Sequence, residues 1–211
     1  FESMAEPGGM LAYGIPAYRL PAEVVRRQVA ALEGMGITLR CGARLGARGL
    51  SLRTLRSRFD GVFLATGAWV HKTLGLGHED LLTSGLDFLR DARRGTAAAA
   101  GRRVLVIGGG SVALDVAITA VRLGAAEVTA ACLESREEMP AFPDDVEQAL
   151  QERVRLLPSR GPRRVLGRRG ALAGMELARC SAVFDASGRF APVLDAGERL
   201  TVEADQVILA I

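Results

Sequence analysis

Aromatic side chains are scarce in this chain of 211 residues, at 5%, so the stacking platforms that single-stranded nucleic acids require are missing and no nucleic-acid partner is expected. Cysteine is scarcer still. Cys41, Cys132 and Cys180 stand far apart and form no C-x-x-C pair, which argues against a disulfide framework, a zinc or iron–sulfur site built within the chain, and a redox dithiol. The two histidines, His71 and His78, fall in one loop without a serine–acid or metal-ligand constellation and read as bystanders. No apolar run reaches about 18 residues and no signal-peptide pattern is present, so no membrane span is expected and the protein reads as cytoplasmic. Charge of neither sign dominates: 27 basic and 24 acidic residues leave a formal +3. The densest basic cluster is Arg163–Arg169, read as a solvated surface that helps to attract an anionic cofactor.

What is present is an ordinary α/β composition, 49% hydrophobic with 25 glycines, long enough for one large domain or two modest ones. The chain is organised around RVLVIGGGSVALD, Arg103–Asp115. Val104 to Ile107 make a buried parallel strand. Gly108, Gly110 and Ala113 then fall in the G-x-G-x-x-G/A spacing that opens a helix. Gly108 permits the tight turn, Gly110 keeps side chains out of a pyrophosphate's path, and Ala113 lets helix and strand approach. The helix N–H groups at Ser111 and Val112 would face phosphate oxygens. A long helix to Gly124 and a second strand, Glu127–Cys132, complete a βαβ unit that reads as a nucleotide-binding Rossmann unit.

Glu134 ends that second strand about 26 residues past Gly108, near the offset of about 20 expected for a ribose-binding acid. A carboxylate there accepts hydrogen bonds from both ribose hydroxyls and repels a 2′-phosphate, which favours NAD over NADP. The plainer alternative is a solvated loop acid. Arg136 points the other way, since an arginine there can grip a 2′-phosphate or fold over adenine. The candidate nucleotide set is therefore Gly108, Gly109, Gly110, Ser111, Val112, Ala113, Glu134, Ser135 and Arg136. Adjacent Glu137 and Glu138 read as a solvated face rather than a catalytic pair.

Around this unit, Phe1–Leu20 reads as a glycine- and proline-rich loop, Pro21–Gly34 as an amphipathic helix, Ile37–Cys41 as a short strand, and the arginine-rich stretch to Arg58 as hairpin or loops. Phe59–Gly67 reads as a buried strand, residues 80–94 as containing a helix, and Thr96–Arg103 as a linker. After a charged loop and a helix near Val146–Val154, the remainder reads as short strands (VRLLPS, RRVLG, GMELAR, SAVFD, RLTVEA) forming a β-meander, with QVILAI returning to close the sheet. Beginning at Phe1 and ending inside an apolar strand, the chain reads as cut from something longer.

Five segments carry a resemblance: PGGMLAYGIPAYRLP (7–21), FDGVFLATGA (59–68), VIGGGSVALDVA (106–117), REEMPA (136–141), and DASGRFAPV with ADQVILAI (185–193 and 204–211). Together they resemble the FAD-dependent NAD(P)H oxidoreductases typified by the small subunit of bacterial glutamate synthase, a group that includes relatives of dihydropyrimidine dehydrogenase. The resemblance implies a Rossmann-type NAD(P)-binding domain with parallel sheet and β-meander, inserted in a partial FAD-binding domain, with residues 1–100 on the FAD side and 101–211 on the NAD(P) side. It implies hydride transfer between NAD(H) or NADP(H) and FAD, with electrons passed to an iron–sulfur or large catalytic partner subunit. Glu2 would hold the FAD ribose. Gly9, Leu11 and Gly14 of the Gly8–Pro21 loop, with Thr66 and Gly67, would line the flavin. Met139-Pro140-Ala141 would shape the nicotinamide-side loop.

The resemblance assigns no acid, base, nucleophile or metal ligand. Members of the group carry a Tyr-Arg-Arg segment suited to a 2′-phosphate where this chain has Cys132-Leu133-Glu134, again favouring NADH. Their FAD pyrophosphate loop, C-terminal Gly-Asp segment and cysteine-rich iron–sulfur segment are absent from the sequence. A non-catalytic dinucleotide-binding or regulatory module is the alternative, and it would bind NAD without needing flavin. An S-adenosylmethionine-dependent methyltransferase shares the glycine turn and the acid, but the returning VILAI strand and the flavin-loop motifs speak against it.

Overall fold

Val24, Val25 and Val29 recur at helical spacing behind Pro21, whose fixed φ of −57° suits a helix start, and the helix forms over Ala22–Gly34 (α2). The computed structural model describes residues 1–211 except 48, 71, 98–100 and 169. The chain divides into two compact units, Phe1–Val70 and His71–Ile211. In the first, a short helix, Gly9–Tyr13 (α1), stands where a loop is expected. Gly8, at φ +124°, makes this approach feasible, because a Cβ there would lie 2.9 Å from Val25 Cγ1 of α2. Tyr13 is buried, and its hydroxyl accepts from the Glu6 N–H at 2.9 Å and donates to the Glu6 carbonyl at 3.1 Å.

Three further expectations for the first unit are corrected. The arginine-rich stretch ends in a third helix, Leu52–Arg58 (α3), started by Ser51, whose hydroxyl accepts the Thr54 N–H at 3.0 Å. Ile37–Cys41 forms no strand, although residues 2–4 and 40–43 exchange backbone hydrogen bonds, among them Glu2 N–H to the Arg40 carbonyl at 2.9 Å. Phe59–Gly67 is neither strand nor buried: Phe63 is 92% exposed. Apolar content measures a capacity for burial, whereas a parallel strand exists only through its ladder partners. Among the described residues this segment has none.

The second unit begins with a 3₁₀ turn at Glu79–Leu81, a two-residue strand β1 (Thr83–Ser84) and helix α4 (Gly85–Arg93). Then come β2 (Arg103–Ile107), α5 (Ser111–Arg122), β3 (Glu127–Ala131), α6 (Pro143–Gln151), β4 (Arg155–Leu157), β5 (Arg160–Arg168), β6 (Ala171–Phe184), β7 (Phe190–Glu203) and β8 (Gln206–Leu209). The parallel sheet runs β1-β8-β2-β3-β4, and β5-β6-β7 form a separate antiparallel meander. VRLLPS therefore joins the parallel sheet rather than the meander, pairing Thr129 with Arg155. GMELAR and SAVFD are one 14-residue strand, whose register shifts at bulges instead of turning. The expected linker is partly tied down: the Gly101 N–H donates to Gln206 Oε1 at 3.1 Å. Residues 98–100 of that linker, His71, and Arg169 of the basic cluster lie outside the described residues.

Alternation along the strands divides the core. Leu105 and Ile107 of β2, Ala131, Val207 and Leu209 pack with Val165, Met175 and Leu177 of the meander. Val104 and Val106 face the other way, where α5 packs on β2 and β3. Because β1 pairs with β8 and α4 packs on α5, Thr83–Arg93 lie with the second unit. Arg103 closes the lower edge, binding Asp205 at 2.8 Å and Glu203 at 2.5 Å.

Candidate functional site

Three consecutive glycines join β2 to α5, and each meets a different environment. Gly108 holds φ +146°, and a Cβ there would collide with the Ala210 carbonyl and lie 3.0 Å from Ala113 Cβ. Its requirement is set by backbone, and the small Ala113 is what lets helix and strand close up. Gly110 has ordinary extended angles, φ −87° and ψ 169°, and nothing lies within 4 Å of where its Cβ would be. The space beside it is open. Gly110 is also the N-cap of α5, with no side-chain cap, so the first N–H groups of the helix and the positive end of its dipole face that opening. The Ser111 hydroxyl accepts the Phe142 N–H at 3.3 Å, which leaves its own proton to donate. Val112 is half exposed on the first turn.

Gly109 faces the next strand. A Cβ on it would lie 2.8 Å from Cys132 Cβ and 2.9 Å from Glu134 Oε2, and its carbonyl accepts the Ala141 N–H at 3.1 Å. The Glu134 carboxylate thus stands beside the glycine turn, and Met139–Phe142 returns to that turn. The Glu134 carbonyl accepts the Ser159 N–H at 2.7 Å. Ser135 follows, half-buried, its N–H donating to Glu138 Oε2 at 3.4 Å. Glu138 therefore serves a turn. Arg136 is exposed, with Nη1 3.9 Å from Met139 Sδ. Burial, then the Glu134 charge, pushes the Cys132 thiol up to about 12, so it stays neutral.

The nine nucleotide-side candidates are thereby gathered at the C-terminal edge of the parallel sheet, next to the β8–β2 pair where strand order reverses. An open turn, an uncapped helix start and a carboxylate three residues past the neighbouring strand can together take up an anion and a diol. Sequence reasoning missed Ser159, which sits in a left-handed conformation at φ 54°; the turn-forming LPSRGP around it is the signal available. His78 is likewise left-handed, at φ 65°, before the 3₁₀ turn.

In the first unit a cavity of about 550 Å³ is walled in part by Glu2, Gly9, Thr66 and Gly67. That volume falls in the range of about 300–1,000 Å³ usual for cofactor sites. Leu11 and Gly14 are not in its wall: Leu11 is exposed and Gly14 closes α1. The Glu2 carboxylate accepts the Met4 N–H at 2.8 Å through Oε1. Phe1 and Phe59, not anticipated as lining, meet edge to face at 6.0 Å in the wall.

The second unit has the build of a dinucleotide-binding α/β protein. Residues 18–157 match the family described as pyridine nucleotide-disulphide oxidoreductase, and the chain belongs to that family. It is 39% identical over 211 residues to the NADPH-Fe(3+) oxidoreductase subunit beta of Geobacter sulfurreducens, covering 97% of this chain and 31% of that protein. It is 34% identical over 227 residues to the glutamate synthase [NADPH] small chain of Escherichia coli, covering 100% of this chain and 48% of that one. Both span essentially the whole chain, as the five motifs imply. This chain, in turn, spans about a third and about half of their lengths. Among solved structures, Mycobacterium tuberculosis FprA in complex with NADPH superposes with a TM-score of 0.76 at 18% identity, covering 99% of this chain and 62% of that one, a likeness of fold. Among the described residues, no helix is long and apolar enough to cross a membrane.

Proposed function

We propose that this chain is the nucleotide-handling part of an oxidoreductase that takes hydride from a reduced nicotinamide, NADH in preference to NADPH, delivers it to FAD, and passes the electrons on to an iron–sulfur or large partner subunit. The observation that carries the preference is the Glu134 carboxylate beside the glycine turn. Both relatives above bear NADPH in their names. In this chain a 2′-phosphate within about 4 Å of Glu134 would meet a repulsion on the order of 1–4 kcal/mol, while ribose hydroxyls would find an acceptor.

The nicotinamide nucleotide is assigned to the second unit. Gly110 and the α5 N-terminus receive the pyrophosphate, Ser111 adds a hydroxyl donor, and Glu134 with Ser135 and Arg136 reads the adenosine end. FAD is assigned to the first unit, where Glu2, Gly9, Thr66 and Gly67 share the wall of one cavity. Bound there, the flavin supplies the two-electron to one-electron conversion that a partner subunit requires. The chain's own work is to position and to discriminate.

Anaerobic titration of the full-length protein with NADH and with NADPH, following flavin absorbance, tests this reading. NADH bleaches the flavin at the lower concentration, and Glu134→Arg moves the preference toward NADPH by about tenfold or more. An unchanged preference in that variant removes Glu134 from the site. NADH binding without flavin reduction makes the chain a regulatory module.

A further inference from the structure

We infer that Gly109, the middle glycine of the turn, sets NADH preference by leaving room for the Glu134 carboxylate. This rests on the assignment of Glu134 to the adenosine ribose. Gly109 has no left-handed backbone to justify a glycine, since its φ is not among the positive ones. It differs from Gly108, whose Cβ would strike main chain, and from Gly110, whose Cβ would meet nothing. What excludes a side chain at 109 is the neighbouring strand: Cys132 Cβ at 2.8 Å, Glu134 Oε2 at 2.9 Å and Cys132 Sγ at 3.2 Å from the Cβ position. Two of these three atoms are side-chain ends. The Cys132 Cβ is rigid with its own main chain and must also yield to a methyl group at 109, whereas the Glu134 main chain is held by the Ser159 N–H, so at that residue it is the carboxylate that moves; a Cys132→Gly background separates the two effects. Gly109 is therefore a positioning residue that acts through Glu134, and the preference can be altered from the phosphate loop without touching the acid.

The test compares the dissociation constants of NADH and NADPH in wild type, Gly109→Ala, Glu134→Gln and Gly109→Ala/Glu134→Asp, all in the full-length protein. Gly109→Ala weakens NADH by about tenfold, the scale of one charge-assisted hydrogen bond, and leaves NADPH within about threefold. The shorter Asp, withdrawn by one methylene, recovers part of the lost preference. An equal loss for both nucleotides, or no change for either, overturns the inference and makes Gly109 a steric element of the turn only. If Glu134→Gln leaves the ratio unchanged, the ribose assignment itself fails. If Glu134→Gln moves the ratio and Gly109→Ala does not, only the role of Gly109 fails. Should Gly109→Ala give no cooperative melt, the comparison is made with Gly109→Ala/Cys132→Gly, which removes the two cysteine contacts and keeps the one to Glu134.

Discussion

The Ser159 N–H donates to the Glu134 carbonyl at 2.7 Å, and the Ser159 carbonyl accepts the Cys180 N–H at 2.9 Å. One residue thus ties the end of the parallel sheet to the second strand of the meander. It does so in a left-handed conformation, at φ 54°, which an L residue adopts at a cost of about 1–2 kcal/mol. Ser159→Val places a β-branched side chain in that conformation and should lower stability by about 1–2 kcal/mol, read from urea unfolding. Ser159→Gly keeps the geometry and should stay within about 1 kcal/mol of wild type. Equal losses in both variants would mean that the hydroxyl, and not the backbone angle, matters.

The outer two glycines of the turn should separate fold from ligand binding. Gly108→Ala drives a Cβ into the Ala210 carbonyl at a φ of +146°, and neither obstacle is a flexible side chain. A loss of about 3 kcal/mol or more follows, with nucleotide binding lost alongside. Gly110→Val meets open space at ordinary extended angles, so its melting temperature should stay within a few degrees while NADH binding disappears. Thermal melts beside calorimetric titrations decide the matter. Undiminished affinity in Gly110→Val would show that no pyrophosphate approaches that face.

The buried thiol beside Glu134 has a pH signature. Burial and the Glu134 charge raise Cys132 from 9.0 to about 12. In the unfolded chain the thiol ionises above about pH 9, whereas the native state holds it protonated. Stability is therefore fully present below pH 9 and falls as pH rises toward 12, by up to about 1.4 kcal/mol per pH unit. Urea midpoints at pH 8 and pH 10.5 should drop less in Cys132→Ala than in wild type. At pH 8 iodoacetamide should label exposed Cys41 and leave Cys132 untouched. Equal pH dependence in the two proteins would place the thiol in contact with water.

The βαβ unit was legible from residues alone because its signals are local. Four aliphatic residues, a glycine turn and a helical apolar period specify β2, the turn and α5 whatever surrounds them. The second strand was legible too, although β3 ends at Ala131, three residues before Glu134. The helix at Leu52–Arg58 was hidden by its arginines, although Ser51 offered a start signal. The length of β6 was hidden because bulges keep a strand running where short apolar runs suggest turns.

What only the tertiary structure decided is which neighbour each residue meets. Phe59–Gly67 has the composition of a buried strand and is exposed, because burial belongs to a pair of surfaces and pairing to a second strand. Leu11 and Gly14 share a motif with Gly9, yet only Gly9 reaches the cavity wall, since one turn of helix points the three in different directions. The triplet Gly108-Gly109-Gly110 makes the distinction sharpest. In sequence the three residues are identical; in the fold a carbonyl just past β8, a carboxylate just past β3 and open space give each glycine its own reason, and the two partners lie 25 and about 100 residues along the chain.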